Sequence, residues 1–129
     1  MRPLVENRAR SRSEPARPGP LIDLDRLEAR LIAAARARRT VTYGALLHEL
    51  GLPLGPRMVA ILCRALGRLD RARAARGEPE LACLVVRRAD GLPGEGWLEP
   101  RTPSGWNAPG ARDRLAAAQV RAMAWAATR

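Results

Sequence analysis

Four arginines in the middle of the chain have the spacing of residues that share one side of an α-helix. They are Arg57, Arg64, Arg68 and Arg71. Offsets of 7, 11 and 14 residues from the first of them return to nearly the same face, because a helix turns about 100° per residue. Apolar residues fall on the opposite side, namely Met58, Leu62, Ala65, Leu66 and Leu69. The pattern predicts a helix that packs by one face and lies against a polyanion by the other.

A second explanation of these arginines stays open. The chain contains no lysine, so all 23 basic residues are arginine, and it contains no phenylalanine. A composition rich in Ala, Arg, Gly and Pro is typical of a GC-rich genome, which adds arginine without functional demand. The row would then be the solvated face of an ordinary amphipathic helix.

The residues that usually carry catalysis or bind metals are few and scattered. Cys63 and Cys83 lie 20 residues apart, and with the single His48 they do not have the spacing of a zinc site. We predict that both cysteines are small core residues and that His48 is a surface or capping residue. No glycine-rich phosphate loop, serine triad or carboxylate pair is evident. The sequence therefore predicts a protein that is not an enzyme and binds no cofactor or metal.

The net charge points to the kind of partner. A formal charge of +10 and a pI near 11.6 favour nucleic acid or an anionic membrane. No apolar run approaches the roughly 18 residues of a membrane span, and the N-terminus lacks the apolar centre of a secretory signal. We expect double-stranded DNA as the partner, no membrane, and a bacterial, nucleoid-associated location in the cytoplasm. An organelle transit peptide is disfavoured by Glu6 and Glu14.

The segments around the arginine row predict a helix-turn-helix. Residues 1–20, rich in Pro and Arg, are predicted to be a disordered basic arm. A helix over 23–39, a short β-prone stretch at 40–42 and a helix over 44–50 follow. Gly51 then stops the second helix, and Pro56 suits the first turn of the next.

The second half of the chain predicts a β-hairpin and a last helix. The apolar run 81–86 reads as a strand buried on both faces, Asp90-Gly91 as a hairpin turn, and the region of Trp97 as the second strand. Arg73 falls on the apolar side of its helix, so we expect the packed part to end near Asp70. A helix over 111–126 would pack on the domain or on a second copy.

These elements predict a mainly α fold with a small β-hairpin. It would be a winged helix-turn-helix domain over residues 21–99 with extra N- and C-terminal helices, followed by a linker and the C-terminal helix over 100–129. Basic residues near the hairpin tip, Arg87 and Arg88, would make a basic wing.

Residues 41–62, VTYGALLHELGLPLGPRMVAIL, resemble the DNA-binding region of alkylguanine-DNA alkyltransferases and alkyltransferase-like proteins. The resemblance implies a winged-helix DNA-binding scaffold. It matches Tyr43 to the tyrosine that packs on the phosphate beside a flipped nucleotide. It matches Arg57 to the arginine that enters the duplex through the minor groove.

The active-site motif of these families is missing. The alkyltransferases have Pro-Cys-His-Arg-Val after the recognition helix, whereas LACLVV places Ala82 at the nucleophile position and Cys83 at the histidine. A cysteine within an apolar strand should have a raised pKa and be inert. Alkyl transfer is therefore not expected.

Three functions follow as hypotheses. The leading one is a non-enzymatic protein that binds duplex DNA through Tyr43, the arginine row and the wing. The second is an alkyltransferase-like sensor of modified or flipped bases without transfer activity. The third is a protein-interaction module, or a homodimer, formed through the C-terminal helix with Met123 and Trp125.

Overall fold

The computed structural model describes residues 22–98 and 105–129 and shows a mainly helical fold with a small parallel sheet. The elements in order are α1 (Leu24–Arg36), β1 (Val41–Thr42), α2 (Tyr43–Glu49), α3 (Pro56–Ala75), a 3₁₀ turn (Ala82–Leu84), β2 (Val85–Val86), α4 (Glu95–Leu98) and α5 (Ala111–Ala127). The predicted arm at 1–20 lies outside the described residues. No helix in these two stretches is long and apolar enough to cross a membrane.

Helix α1 begins where the sequence predicts, at an acidic cap. The Asp23 carboxylate accepts a hydrogen bond of 2.9 Å from the backbone N–H of Asp25, which satisfies one of the free donors of the first turn. Leu27, Leu31 and Ala35 then recur on one side and are buried. The helix ends at Arg36, three residues before the predicted end.

The predicted sequence of helix, turn and helix is confirmed. The Thr42 hydroxyl caps α2 by accepting from the backbone N–H of Ala45 at 3.1 Å. Gly51 ends this helix with a positive φ of 76°, a conformation that a glycine adopts without steric cost. Pro56 occupies the first turn of α3, where its missing N–H costs nothing.

The predicted β-hairpin is wrong. β2 pairs with β1 in parallel, with Val41 opposite Val85, and the region of Trp97 forms the short helix α4. Only the end of the apolar run 81–86 is a strand, because its first part bends into the 3₁₀ turn. The Asp70 carboxylate holds that bend by accepting from the backbone N–H of Leu81 at 2.8 Å. Most of the run is buried as predicted, but it forms a 3₁₀ turn and a strand of two residues instead of one continuous strand.

The packed part of α3 continues past Asp70, so the predicted end of packing there is wrong. Arg73 has a relative exposure of 0%. Its Nη1 donates to Glu28 of α1 at 2.6 Å and lies 3.3 Å from Glu78, and its Nε donates to the carbonyl of Pro79 at 2.8 Å. The guanidinium carbon also lies 4.4 Å from the ring centroid of Trp125 in α5. Carboxylates and an aromatic face thus allow a charged residue to occupy an apolar position.

Helix α5 packs on the domain itself and chiefly against α1. Its buried residues recur every three or four positions and are mostly small, namely Ala111, Leu115, Ala118, Ala122 and Ala126. Small side chains on the contact face allow two helices to approach closely. Gln119 adds a polar link by donating from Nε2 to the carbonyl of Cys83 at 3.0 Å.

Replacing Arg73 tests its role in closing the core. We expect Arg73→Met to lower the free energy of unfolding by about 3 kcal/mol, because Glu28 and Glu78 would keep only the exposed Arg76 as an ion-pair partner among the described residues. Arg76→Met is the matched control, since Arg76 contacts the same two carboxylates from an exposed position and should cost much less. Urea denaturation measures both variants. Equal losses would show that burial of Arg73 does not matter.

Candidate nucleic-acid interface

The arginine row predicted on α3 lies on one exposed face of the helix. Arg57, Arg64, Arg68 and Arg71 are all exposed. Leu62, Leu66 and Leu69 are buried on the other side. The helix is therefore amphipathic in the predicted sense, with its guanidinium groups directed away from the core.

No acidic partner is found for this row within residues 22–98 and 105–129. Other arginines of the chain are engaged with carboxylates or carbonyl oxygens, namely Arg26, Arg30, Arg73, Arg76 and Arg87. The four arginines of the row form no ion pair with any described acidic residue. Their charge is therefore available to an external anion.

Tyr43, the first residue of α2, joins the helix-turn-helix to the loop that precedes α4. Its half-buried hydroxyl accepts a hydrogen bond of 2.8 Å from the backbone N–H of Gly94. Burial raises the pKa of Tyr43 to about 12, although the Gly94 N–H acts in the opposite direction. The phenol is therefore neutral at physiological pH.

Gly94 leaves room for this contact because it has no side chain. A Cβ atom at this position would lie 3.1 Å from the Tyr43 hydroxyl oxygen, which is tighter than most real Cβ contacts. The absence of a side chain thus allows the backbone to approach the phenol. Sequence reasoning missed Gly94, because its partner lies 51 residues away.

The two arginines predicted on the wing differ in their surroundings. Arg87 forms an ion pair of 2.8 Å with Asp90, and this hydrogen-bonded pair lowers the pKa of the Asp90 carboxyl. Arg88 is exposed and forms no ion pair with a described acidic residue. A tight turn presents both, closed by a 2.8 Å hydrogen bond from the backbone N–H of Arg87 to the carbonyl of Leu92. We therefore expect the free charge of this turn to come from Arg88.

A cleft of about 1000 Å³ separates this turn from the helix-turn-helix. Apolar residues line most of it, including Leu52, Leu54 and Val59, while Arg87 and Arg88 stand at one side. Leu54 is 70% exposed in the turn between α2 and α3. The predicted surface residue His48 is exposed and also lines the cleft.

A smaller cavity of about 400 Å³ lies on the other side of Tyr43. Tyr43, Cys63 and Gly94 line both cavities and so form the wall between them. The smaller one is completed by residues of α3, the 3₁₀ turn and α4, including Arg71, Ala82 and Trp97. Of the four arginines in the row, Arg71 thus borders this partly open cavity.

The two cysteines have different environments, and neither is an activated thiol. Cys83 is fully buried as predicted, and burial raises its pKa, with Glu80 and Asp70 adding to the effect. Cys63 is exposed, so the prediction of a core position is wrong for it, because α3 turns this residue toward the two cavities. Although the residue is exposed, partial burial of its thiol raises the Cys63 pKa, while Tyr43 and Arg64 act in the opposite direction. Neither thiol is therefore poised as a nucleophile at neutral pH.

The described residues contain no group of three or more His, Cys, Asp or Glu side chains arranged to hold a metal ion. Comparison of the chain with protein-family models, with curated proteins and with solved structures finds no match. The resemblance of residues 41–62 to the alkyltransferases stays a prediction from the motif.

Proposed function

We propose that the protein is a non-enzymatic DNA-binding protein whose helix α3 lies against a duplex. The observation that carries the proposal is the row Arg57, Arg64, Arg68 and Arg71. These residues share one exposed face and lack an acidic partner among the described residues. Unpaired guanidinium groups at helical spacing are suited to phosphate oxygens, which they bind through two parallel hydrogen bonds.

The length of the row suits a duplex. Arg57 and Arg71 are 14 residues apart, which corresponds to about 21 Å along the helix axis at 1.5 Å per residue. This length exceeds the width of the major groove, about 12 Å, so a helix that lies across the groove can reach phosphates on both of its sides. Contacts of this kind fix position and orientation on the duplex but do not read its sequence.

The turn at Arg88 belongs to the same proposal and would act in place of the predicted wing, since the described residues form no β-hairpin there. The turn that carries Arg88 flanks the cleft beside α2 and α3, and it would contact the DNA backbone as a wing does. Tyr43 would brace a phosphate beside it, since its neutral phenol can donate a hydrogen bond. Binding to genomic DNA would place the protein in the cytoplasm, with the nucleoid.

The smaller cavity favours one alternative function, a sensor of modified or flipped bases. Ala82, the residue matched to the alkyltransferase nucleophile, lines this cavity together with Tyr43 and Arg71. A volume of about 400 Å³ lies within the range of small-molecule pockets. Such a sensor would hold an extruded base without transferring its alkyl group.

The third hypothesis, a protein contact through the C-terminal helix, has less support. Met123 and Trp125 pack against the protein's own core, and Trp125 also contacts the guanidinium groups of Arg73 and Arg129. The large exposed apolar side chain on α5 is Val120, at 61%. A homodimer or partner contact would therefore have to use the outer face of α5.

Salt titration tests duplex binding. Five to six phosphate contacts should give a slope of about −5 for log affinity against log salt, and a loss of roughly 10³-fold between 50 and 200 mM. Fluorescence anisotropy with a short labelled duplex measures it. An affinity for duplex DNA that does not change with salt concentration would rule out binding through the arginine row.

Arginine variants distinguish backbone contact from insertion into the duplex. We expect Arg57→Ala, Arg64→Ala and Arg68→Ala to weaken binding by similar amounts, each lowering the steepness of the salt slope by about 0.9. Arg121 occupies an exposed position of α5, so Arg121→Ala serves as the control and should bind like wild type. Affinities measured for intact and abasic duplexes distinguish contact with the DNA backbone from insertion of Arg57. A loss confined to abasic DNA for Arg57→Ala would show that Arg57 inserts.

Incubation with DNA containing alkylated guanine tests for transfer activity. We expect the mass of the protein to stay unchanged, because Cys83 is buried with a raised pKa. Cys83→Ala should bind DNA normally and lose about 1 kcal/mol of stability as a small cavity-forming change. An alkyl adduct that persists in Cys63→Ala but disappears in Cys83→Ala would contradict the proposal.

A further inference from the structure

The segment that follows α1 contains an arginine in a backbone conformation that favours glycine. Arg38 has a φ of 58°, in the left-handed region. The backbone N–H of Arg39 donates to the carbonyl of Ala34 at 2.9 Å, and that of Arg38 to Ala35 at 3.0 Å. These two bonds define a helix-ending motif in which the left-handed position is usually glycine, because a Cβ atom there is strained. The chain thus retains arginine where glycine would be more stable.

The charges of this turn have no partner in the part of the chain that the structure describes. Arg36, Arg38 and Arg39 are all exposed, and none forms an ion pair or side-chain hydrogen bond with a described residue. One to two turns earlier in α1, Arg30 is bound to Glu49 of α2. The unpaired charges therefore concentrate at the end of the helix, where the left-handed residue lies.

The turn borders a groove that continues to the proposed DNA-binding surface. Arg39, Thr40 and Thr42 line this groove, whose volume is about 570 Å³, between the end of α1 and the start of α2. Its carboxylate, Glu49, is engaged by Arg30. Thr42 and Ala45 line both this groove and the cleft beside Arg88.

The distance along the chain also keeps the turn close to Tyr43. Arg39 precedes Tyr43 by four residues, so their Cα atoms are at most about 14 Å apart. A phosphate placed midway between the two residues would therefore lie within the Debye length, about 10 Å at 0.1 M salt, of both of them.

We propose that the turn formed by Arg36, Arg38 and Arg39 is a second phosphate-binding element, which contacts the duplex backbone beside the start of α2. This inference rests on the proposed DNA binding and extends its footprint from α3 across the start of α2 to the end of α1. Arginine at the left-handed position then lowers the free energy of unfolding but adds a contact with the phosphate backbone.

Two variants of Arg38 separate charge from backbone strain. Arg38→Gln removes the charge and keeps a side chain in the strained conformation, whereas Arg38→Gly removes both. We expect both to lower the steepness of the salt slope on duplex DNA by about 0.9, which is one phosphate contact. We expect the melting temperature to rise more for Arg38→Gly than for Arg38→Gln. The double variant Arg38→Gln/Arg39→Gln should lower the slope by about 1.8.

Arg112→Gln and Arg121→Gln on α5 are the matched controls, since both residues are exposed and form no ion pair with a described residue. Their slopes should equal that of wild type. The inference is overturned if the Arg38 variants bind like wild type, if Arg38→Gly alone weakens binding, or if the α5 controls weaken it equally. In those cases the proposed function survives as long as Arg64→Ala still loses affinity. A wild-type protein that does not bind duplex DNA refutes both proposals.

Discussion

The buried guanidinium of Arg73 is the interaction on which the arrangement of the helices depends. It connects α3 to Glu28 of α1, to the loop at Glu78 and to Trp125 of α5. A buried charge is tolerated only when its partners are in place, so these four segments must assemble together. The contact also sets the rotation of α3 about its axis. With Arg73 directed inward, the residues of the arginine row must face outward.

Most acidic residues named above form hydrogen bonds or ion pairs with other groups of the same chain. Asp23 caps α1, Asp70 holds the 3₁₀ turn by its backbone N–H groups, and Glu80 accepts from the indole of Trp97. Glu28 and Glu78 are engaged by the buried Arg73 and its neighbour Arg76. Within residues 22–98 and 105–129, exposed arginines without an ion pair remain on the outer face of α3, at Arg88, on the turn after α1, and at Arg112 and Arg121 of α5. The α3 face differs from the others in carrying four of them at helical spacing.

The sequence predicted the elements whose signals are local. Asp23, Thr42 and Pro56 mark helix starts by chemistry that depends on neighbours within one turn, and the predicted helices lie there. The parallel pairing of Val41 with Val85 depends on residues 44 positions apart, and a short apolar run does not distinguish it from a hairpin strand. The Asp90-Gly91 turn was identified correctly, but its flanks do not continue as two paired strands, because the strand ends at Val86 and residues 95–98 are helical. The burial of Arg73 was not predicted for a similar reason, since its partners Glu28 and Trp125 come from distant segments.

The part of the candidate site that depends on local spacing was also predictable. The phase of the arginine row follows from helical geometry, so its exposed face could be derived from spacing. The link between Tyr43 and Gly94 could not, because it needs the folded position of the loop before α4. That link forms the wall between the large cleft and the smaller cavity. A ligand that displaces the Tyr43 hydroxyl from Gly94 would therefore alter both spaces at once. The proposed phosphate contact at Tyr43 and the alternative of base capture in the smaller cavity would therefore depend on the same hydroxyl.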